Sequence, residues 1–374
     1  MDRVSTDSKK YSRGQYDSVV TATLKLGYRP ELDGLRGISI LLVYLHHIYY
    51  PLMPRGFFGV DIFFVLSGFL ITSLLLQEWS REGSISLKDF YIRRVLRLMP
   101  ALFLLIIIIG GFALIFNKRV TETYQGIWLS LSYASNWLYA FGYFSPHNPL
   151  GITWSLAIEE QFYLIWPLLL TLVLRFKLGR RWILYILILL IAFISLHRKI
   201  LEEQGASIFR LYYASDTHAD MLLIGCLVGL LISWNLLPHD RRFKILMKSL
   251  AAVAVIFLGY LVGTTSWTYF TLCRCGGYTL VAISIALILT VVITSPPKFA
   301  LSVLRFAPLV WIGRISYGLY LWHWPVRWFI YPKNGLPTSA GQLLTVVVLS
   351  LSLTTLSYYF VEKPFLRWKK RFGH

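Results

Sequence analysis

Eleven apolar runs, each near the length of a membrane crossing, constrain this chain more than any other feature. They lie at about 34–53, 57–78, 98–117, 124–141, 154–174, 182–197, 217–234, 245–263, 272–294, 306–330 and 340–361. Crossing a hydrocarbon core of roughly 30 Å takes about 20 helical residues, each adding only about 1.5 Å of rise. In lipid the backbone must satisfy its own N–H and C=O groups, which a helix does within one segment. The expected fold class is therefore all-α, a polytopic transmembrane helical bundle. With 56% hydrophobic and only 15% charged residues, the composition excludes disorder and an ordinary cytosolic enzyme. Counts of 26 Gly, 15 Pro and 3 Cys exclude a collagen-like or disulfide-stapled chain. Cys273 and Cys275 flank Arg274, and Cys226 stands alone in an apolar run, so no metal site is expected.

The 37 Lys and Arg against 18 Asp and Glu give a net charge of +19. Such a charge invites a nucleic-acid reading. In a membrane protein it is better explained by cytoplasmic loops that collect Lys and Arg beside anionic lipid headgroups, so membrane lipids are expected partners and nucleic acid is not. The basic stretches at 81–97, 175–181, 241–244, 298–305 and 363–371, together with the N-terminal tail, then belong on the cytoplasmic side. Between the first two an even number of crossings is required, yet three apolar runs lie there. The run at 124–141 carries Ser130, Ser132, Ser135 and Asn136, so it is expected as a re-entrant or surface segment. About ten crossings remain, with both termini cytoplasmic. The organisation reads as a cytoplasmic tail at 1–33 without a secretory signal, a membrane domain at 34–361, and a basic cytoplasmic tail at 362–374. The longest far-side connection, 118–153, is placed to cap an outward-opening cavity before Trp154.

Ionisable side chains inside apolar runs are costly and usually mark a site. Arg36 and His47 are eleven residues apart in the first run, which puts them on one helix face with His47 roughly 16 Å farther along. Asp61, Glu159, Glu160 and His323 are expected at the same outer depth as His47, an assembly suited to general acid and base chemistry or to proton-coupled transport. On the cytoplasmic side stand Arg93, Arg94 and Arg97. The last two are i and i+3, so both can grip one phosphate-bearing ligand, a role that competes with lipid headgroup binding. Ser67 beside Gly68 reads as a helix-packing point rather than a nucleophile, and Glu362 as a helix end. Within the aromatic stretch from Tyr317 to Trp328, His323 stands out from what is otherwise interfacial packing.

Taken together, the motifs resemble the acyltransferase 3 family of integral membrane acyltransferases over about residues 28–367. The resemblance rests on Arg36-x10-His47, on G-V-D-I-F-F-V-L-S-G-F-L-I-T at 59–72, and on F-Y-I-R-R-V-L-R-L-M-P at 90–100. It rests further on T-W-S-L-A-I-E-E-Q-F-Y-L-I-W-P at 153–167, I-S-Y-G-L-Y-L-W-H-W-P at 315–325 and Y-Y-F-V-E-K-P at 358–364, six motifs in one order. It implies an O-acyltransferase of the bacterial cytoplasmic membrane. Acyl-CoA, most simply acetyl-CoA, is the implied donor, and Arg94 and Arg97 match the family's R-x-x-R. The implied acceptor is a hydroxyl of a carbohydrate or lipid-linked glycan, such as O-antigen, exopolysaccharide or peptidoglycan, or of a small molecule such as a macrolide. The hydrolase-like C-terminal domain that some relatives carry is not expected here.

His47 matches the histidine the family requires and is the expected general base, aided by Arg36 and by a carboxylate among Asp61, Glu159 and Glu160. Arg93, Arg94 and Arg97 are expected at the donor, and Trp154, Tyr317 and His323 at the acceptor. Direct transfer and a covalent acyl-enzyme both remain open. The rival of a different class is a proton-coupled transporter or flippase, for which the ordered motifs offer no reason; a structural assembly subunit is a further rival.

Overall fold

The computed structural model describes residues 27–264, 276–331, 335–369 and 371. Residues 1–26 of the expected N-terminal tail, Cys273 and Cys275, the stretch 265–271 between two apolar runs, and residues 370 and 372–374 of the expected C-terminal tail lie outside the described residues. Among those described there are helices and turns and no strand. Seven helices are long and apolar enough to cross a membrane: Phe58–Glu82 (α2), Leu87–Ile115 (α3), Gly151–Arg175 (a 3₁₀ turn leading into α6, Trp154–Arg175), Arg180–Glu203 (α7), Arg241–Gly263 (α11), Gly277–Thr294 (α12) and Ala340–Lys369. The last comprises α16 (Ala340–Ser357), a π-helical turn at Tyr358–Glu362, and α17 (Lys363–Lys369). Large apolar side chains such as Ile107, at 71% exposure, cover the outside of the bundle. Water would not tolerate so much continuous apolar surface, whereas lipid would. The protein is a multi-pass integral membrane protein.

Four of the eleven apolar runs do not form a helix of that kind. Residues 34–53 become α1 (Pro30–Ile48), with Pro30 at its first turn and Glu31 and Asp33 near its positive end. Residues 124–141 fall into α4 (Val120–Leu131) and α5 (Ser135–Ala140), separated where Tyr133 adopts a positive φ of 49°. A left-handed residue cannot continue a right-handed helix, so neither piece reaches membrane length. Residues 217–234 form α9 (Ser215–His218) and the fourteen-residue α10 (Asp220–Ser233), preceded by the short α8 (Ile208–Tyr213). Residues 306–330 break at Ile315 into α14 (Ala307–Arg314) and α15 (Ser316–Ile330), with α13 (Lys298–Leu304) before them.

α2 packs most extensively against α10. A Cβ on Gly68 would fall on the Leu222 carbonyl oxygen, and one on Gly225 on that of Val65, so only hydrogen lets the two backbones touch. That contact buries Phe64, Val65, Phe69 and Leu222 at the centre. α1 lies beside α2 and against α14, while α15 packs on α16 and α3. The ring of α1, α2, α3, α6 and α15 encloses the functional groups.

Candidate functional site

Two cavities sit inside that ring, one rich in histidine and one rich in arginine. The histidine cavity, of about 270 Å³, is lined by His46, His47, Trp154, Tyr212, Tyr320 and Trp324 among others. α1 delivers His47 from its last turn and α15 delivers His323 from its middle. His47 Nδ1 is 2.9 Å from His323 Nε2, and His323 Nδ1 is 2.8 Å from the Leu319 carbonyl oxygen. A carbonyl only accepts, so a neutral His323 carries its proton on Nδ1 and offers Nε2 as an acceptor. His47 Nδ1–H must then donate to it. This chain leaves the Nε2 lone pair of His47 without a partner among the described residues, on a ring that faces the cavity. Trp324 closes on the His47 ring edge at 4.9 Å and anchors its own indole N–H on the Asn148 carbonyl at 2.9 Å.

The arginine cavity, of about 200 Å³, is lined by Arg36, Arg94, Arg97, Ser67, Glu159 and Tyr317 among others. Arg36 donates to Ser316 Oγ at 3.2 Å, while its buried Nε has no partner among the described residues. The Arg94 guanidinium lies over the Tyr163 ring at 4.9 Å, which holds it in place, and its N–H fork makes no hydrogen bond among the described residues. Ser67 donates to Glu159 Oε1 at 2.9 Å and accepts from Tyr163 at 3.1 Å. Tyr317 donates to the Leu98 carbonyl at 2.8 Å. Three arginines and one carboxylate set in an otherwise largely apolar wall fit a ligand that carries anionic groups on an extended, mostly uncharged arm.

Several expectations are corrected by this geometry. No carboxylate orients His47: Asp61 accepts from His218 at 2.9 Å and is fully buried, and the group behind His47 is His323. Glu159 and Glu160 lie five and six residues inside α6, roughly 7 to 9 Å deeper than Trp154, so helical rise carries Glu159 into the arginine cavity. Glu160 lines neither cavity and makes no hydrogen bond among the described residues. The imidazoles and carboxylates therefore do not converge at one depth. Arg93 turns away to pair with Glu78 at 3.1 Å, whereas Arg94 and Arg97 share the cavity. Trp154 lines the histidine cavity but Tyr317 the arginine cavity, and His323 stands behind His47 instead of in the lining.

Gly68 is the packing point expected, but its neighbour Ser67 belongs to a site wall. Glu362 does not end a helix; it is buried in the π-turn and accepts from Ser357 at 3.3 Å. Sequence reasoning did not single out Tyr320 or Val60, the residues common to both cavities. Among the described residues no group of three or more His, Cys, Asp or Glu is gathered to hold a metal.

Residues 29–362 match the acyltransferase domain of the acyltransferase 3 family. The chain belongs to that family. Curated relatives include YrhL of Bacillus subtilis, provisionally named a peptidoglycan O-acetyltransferase, at 37% identity over 90% of this chain and 55% of the relative. The peptidoglycan O-acetyltransferase OatA of Listeria monocytogenes is 34% identical over 90% of this chain and 56% of its own length. A provisionally named O-acetyltransferase of Staphylococcus aureus strain MSSA476 is 34% identical over 91% of this chain and 58% of its own. The chain thus spans little more than half the length of the curated relatives it matches. No solved structure matches it.

Proposed function

We propose that this family member is a membrane-embedded O-acetyltransferase that moves an acetyl group from cytoplasmic acetyl-CoA to a hydroxyl of an envelope glycan. The observation that carries the reading is the His47 Nε2 lone pair, held toward a cavity by the chain His47, His323, Leu319 carbonyl. The CoA phosphates rest on Arg94 and Arg97, with Arg36 farther along, and the pantetheine arm runs through the arginine cavity toward His47. The acceptor hydroxyl gives its proton to His47 Nε2 as its oxygen bonds to the thioester carbonyl carbon. The C–S bond then breaks, and the departing thiolate takes the proton back from His47. His323 shares the transient positive charge through the Nδ1–H bond. Of the acceptors the resemblance leaves open, the names of the relatives favour peptidoglycan.

Ten crossings of the bacterial cytoplasmic membrane, with both termini cytoplasmic, complete the reading. α1, α10 and the α14–α15 pair join the seven long helices as crossing elements, and α4 and α5 stay on the far side. The test is membranes containing wild-type or His47→Ala protein, given acetyl-labelled CoA with and without peptidoglycan precursor. Label in glycan with wild type alone, at equal protein abundance, is expected. Equal labelling by the variant would remove His47 as the base, and release of CoA without labelled glycan would move the acceptor elsewhere.

A further inference from the structure

Among the described residues only Val60 and Tyr320 line both cavities, so the boundary between the proposed donor and acceptor spaces is made by one aliphatic and one aromatic side chain. Neither has slack. Val60 is 4% exposed, and its neighbour Gly59 presses so closely on α1 that a Cβ there would fall on the Ser39 carbonyl oxygen. α2 therefore cannot shift toward α1 to make room. Tyr320 is fastened at its far end, where its hydroxyl donates to the Ile152 carbonyl at 2.9 Å and lies 2.6 Å from Ser155 Oγ. Ser155 and Ile152 belong to the start of α6 and the turn before it, an element separate from α2.

We propose that Val60 and Tyr320 form a rigid aperture that selects the acyl group by width. This inference rests on the reading of acyl-CoA as donor. For the thioester carbon to reach a hydroxyl at His47, the acyl group must pass between these side chains ahead of the sulfur. A straight chain presents one methylene cross-section whatever its length. Branching beside the carbonyl adds a methyl group to that cross-section, and walls fixed from two directions cannot yield to it. The enzyme is thereby closed to acyl groups branched at the first carbon and open to straight ones, as far as the histidine cavity has room beside the acceptor.

The experiment compares initial rates of acceptor-dependent CoA release from acetyl-, n-butyryl- and isobutyryl-CoA, using full-chain wild type, Val60→Ala and Val60→Ile in membranes. The two butyryl isomers contain the same atoms and differ in width. Wild type is expected to prefer the n-butyryl isomer by about tenfold or more, since a single methyl group in a tight apolar site discriminates on that order. Val60→Ala should erase most of that preference and Val60→Ile should widen it. A partly unfolded variant lowers both isomers alike, so their ratio still reports the aperture. Isomer ratios in Val60→Ala equal to wild type would overturn the proposal. So would a wild type that uses acetyl-CoA and neither butyryl isomer, because length would then be the criterion. A wild type that releases no CoA from acetyl-CoA overturns the donor reading and the aperture with it.

Discussion

His47 commits one ring nitrogen to His323 and lines a cavity with its ring, which is the arrangement the proposed general base needs. Its Nδ1–H is committed to His323 at 2.9 Å, and His323 is fixed in turn by the Leu319 carbonyl one helical turn earlier. His323→Leu removes the acceptor, frees the tautomer and orientation of His47, and strips the developing imidazolium of its support. We expect kcat to fall by roughly 10² while donor KM stays near wild type, since general base assistance is worth about 10² to 10⁴ in rate. His323→Gln, whose side-chain oxygen can accept the same hydrogen bond, should recover part of the loss. Steady-state kinetics in membranes test this, and a parallel rise in donor KM would count against a role confined to His47. The register of Arg36 and His47 could be read from an eleven-residue spacing, because helix geometry alone fixes which residues share a face. The partner of His47 could not, because His323 is 276 positions away and nothing local encodes their contact. The same blindness attached Asp61 to the wrong histidine; His218 is 157 residues from it.

The fourteen-residue α10, too short to cross lipid comfortably alone, is tied into the bundle by a buried polar clamp. Arg198 on α7 grips Asp220 at the head of α10 through both guanidinium nitrogens, at 3.1 and 3.0 Å. Thr279 on α12 donates to the same carboxylate at 2.8 Å. Both charged side chains are buried, so removing one leaves the other desolvated without its counter-charge. Asp220→Ala should cost about 3–5 kcal/mol, the range for breaking a buried pair. A thermal aggregation midpoint in detergent should drop sharply for it and barely move for Glu203→Ala, whose pairing with Lys199 at 3.7 Å is half exposed. Equal midpoints for the two variants would argue that the clamp is incidental. At this scale the sequence was informative about where apolar helices run and poor about where they break. Apolar content is additive along a window, whereas the break at Ile315 falls inside an apolar run. The positive φ at Tyr133 likewise leaves no mark in hydropathy.

At the scale of the whole molecule, the arginine and histidine cavities are neighbours that share Val60 and Tyr320 in their walls, an arrangement suited to substrates that arrive from opposite sides and never exchange places. If donor binding is confined to the arginine end, it is separable from catalysis. Arg94→Ala and Arg97→Ala should each weaken CoA binding by about tenfold to a hundredfold, since a hydrogen bond to a charged phosphate is worth about 1.5–3 kcal/mol. His47→Ala should leave CoA affinity unchanged while abolishing transfer. Equilibrium binding of CoA to purified protein separates these effects, and loss of affinity in His47→Ala would collapse the two cavities into a single site. The same division sets a sidedness. In the topology proposed from the positive loops the arginine end faces the cytoplasm, so inside-out vesicles, which would expose that face, should consume added acetyl-CoA and deposit acetyl on glycan enclosed in the lumen. Sealed right-side-out vesicles given external acetyl-CoA should do neither until permeabilised. Consumption from the outside by sealed vesicles would invert the topology and place the arginine end on the far face. That result would contradict the charge bias of the loops, leaving the local geometry around His47 intact while reversing the direction in which the acetyl group travels.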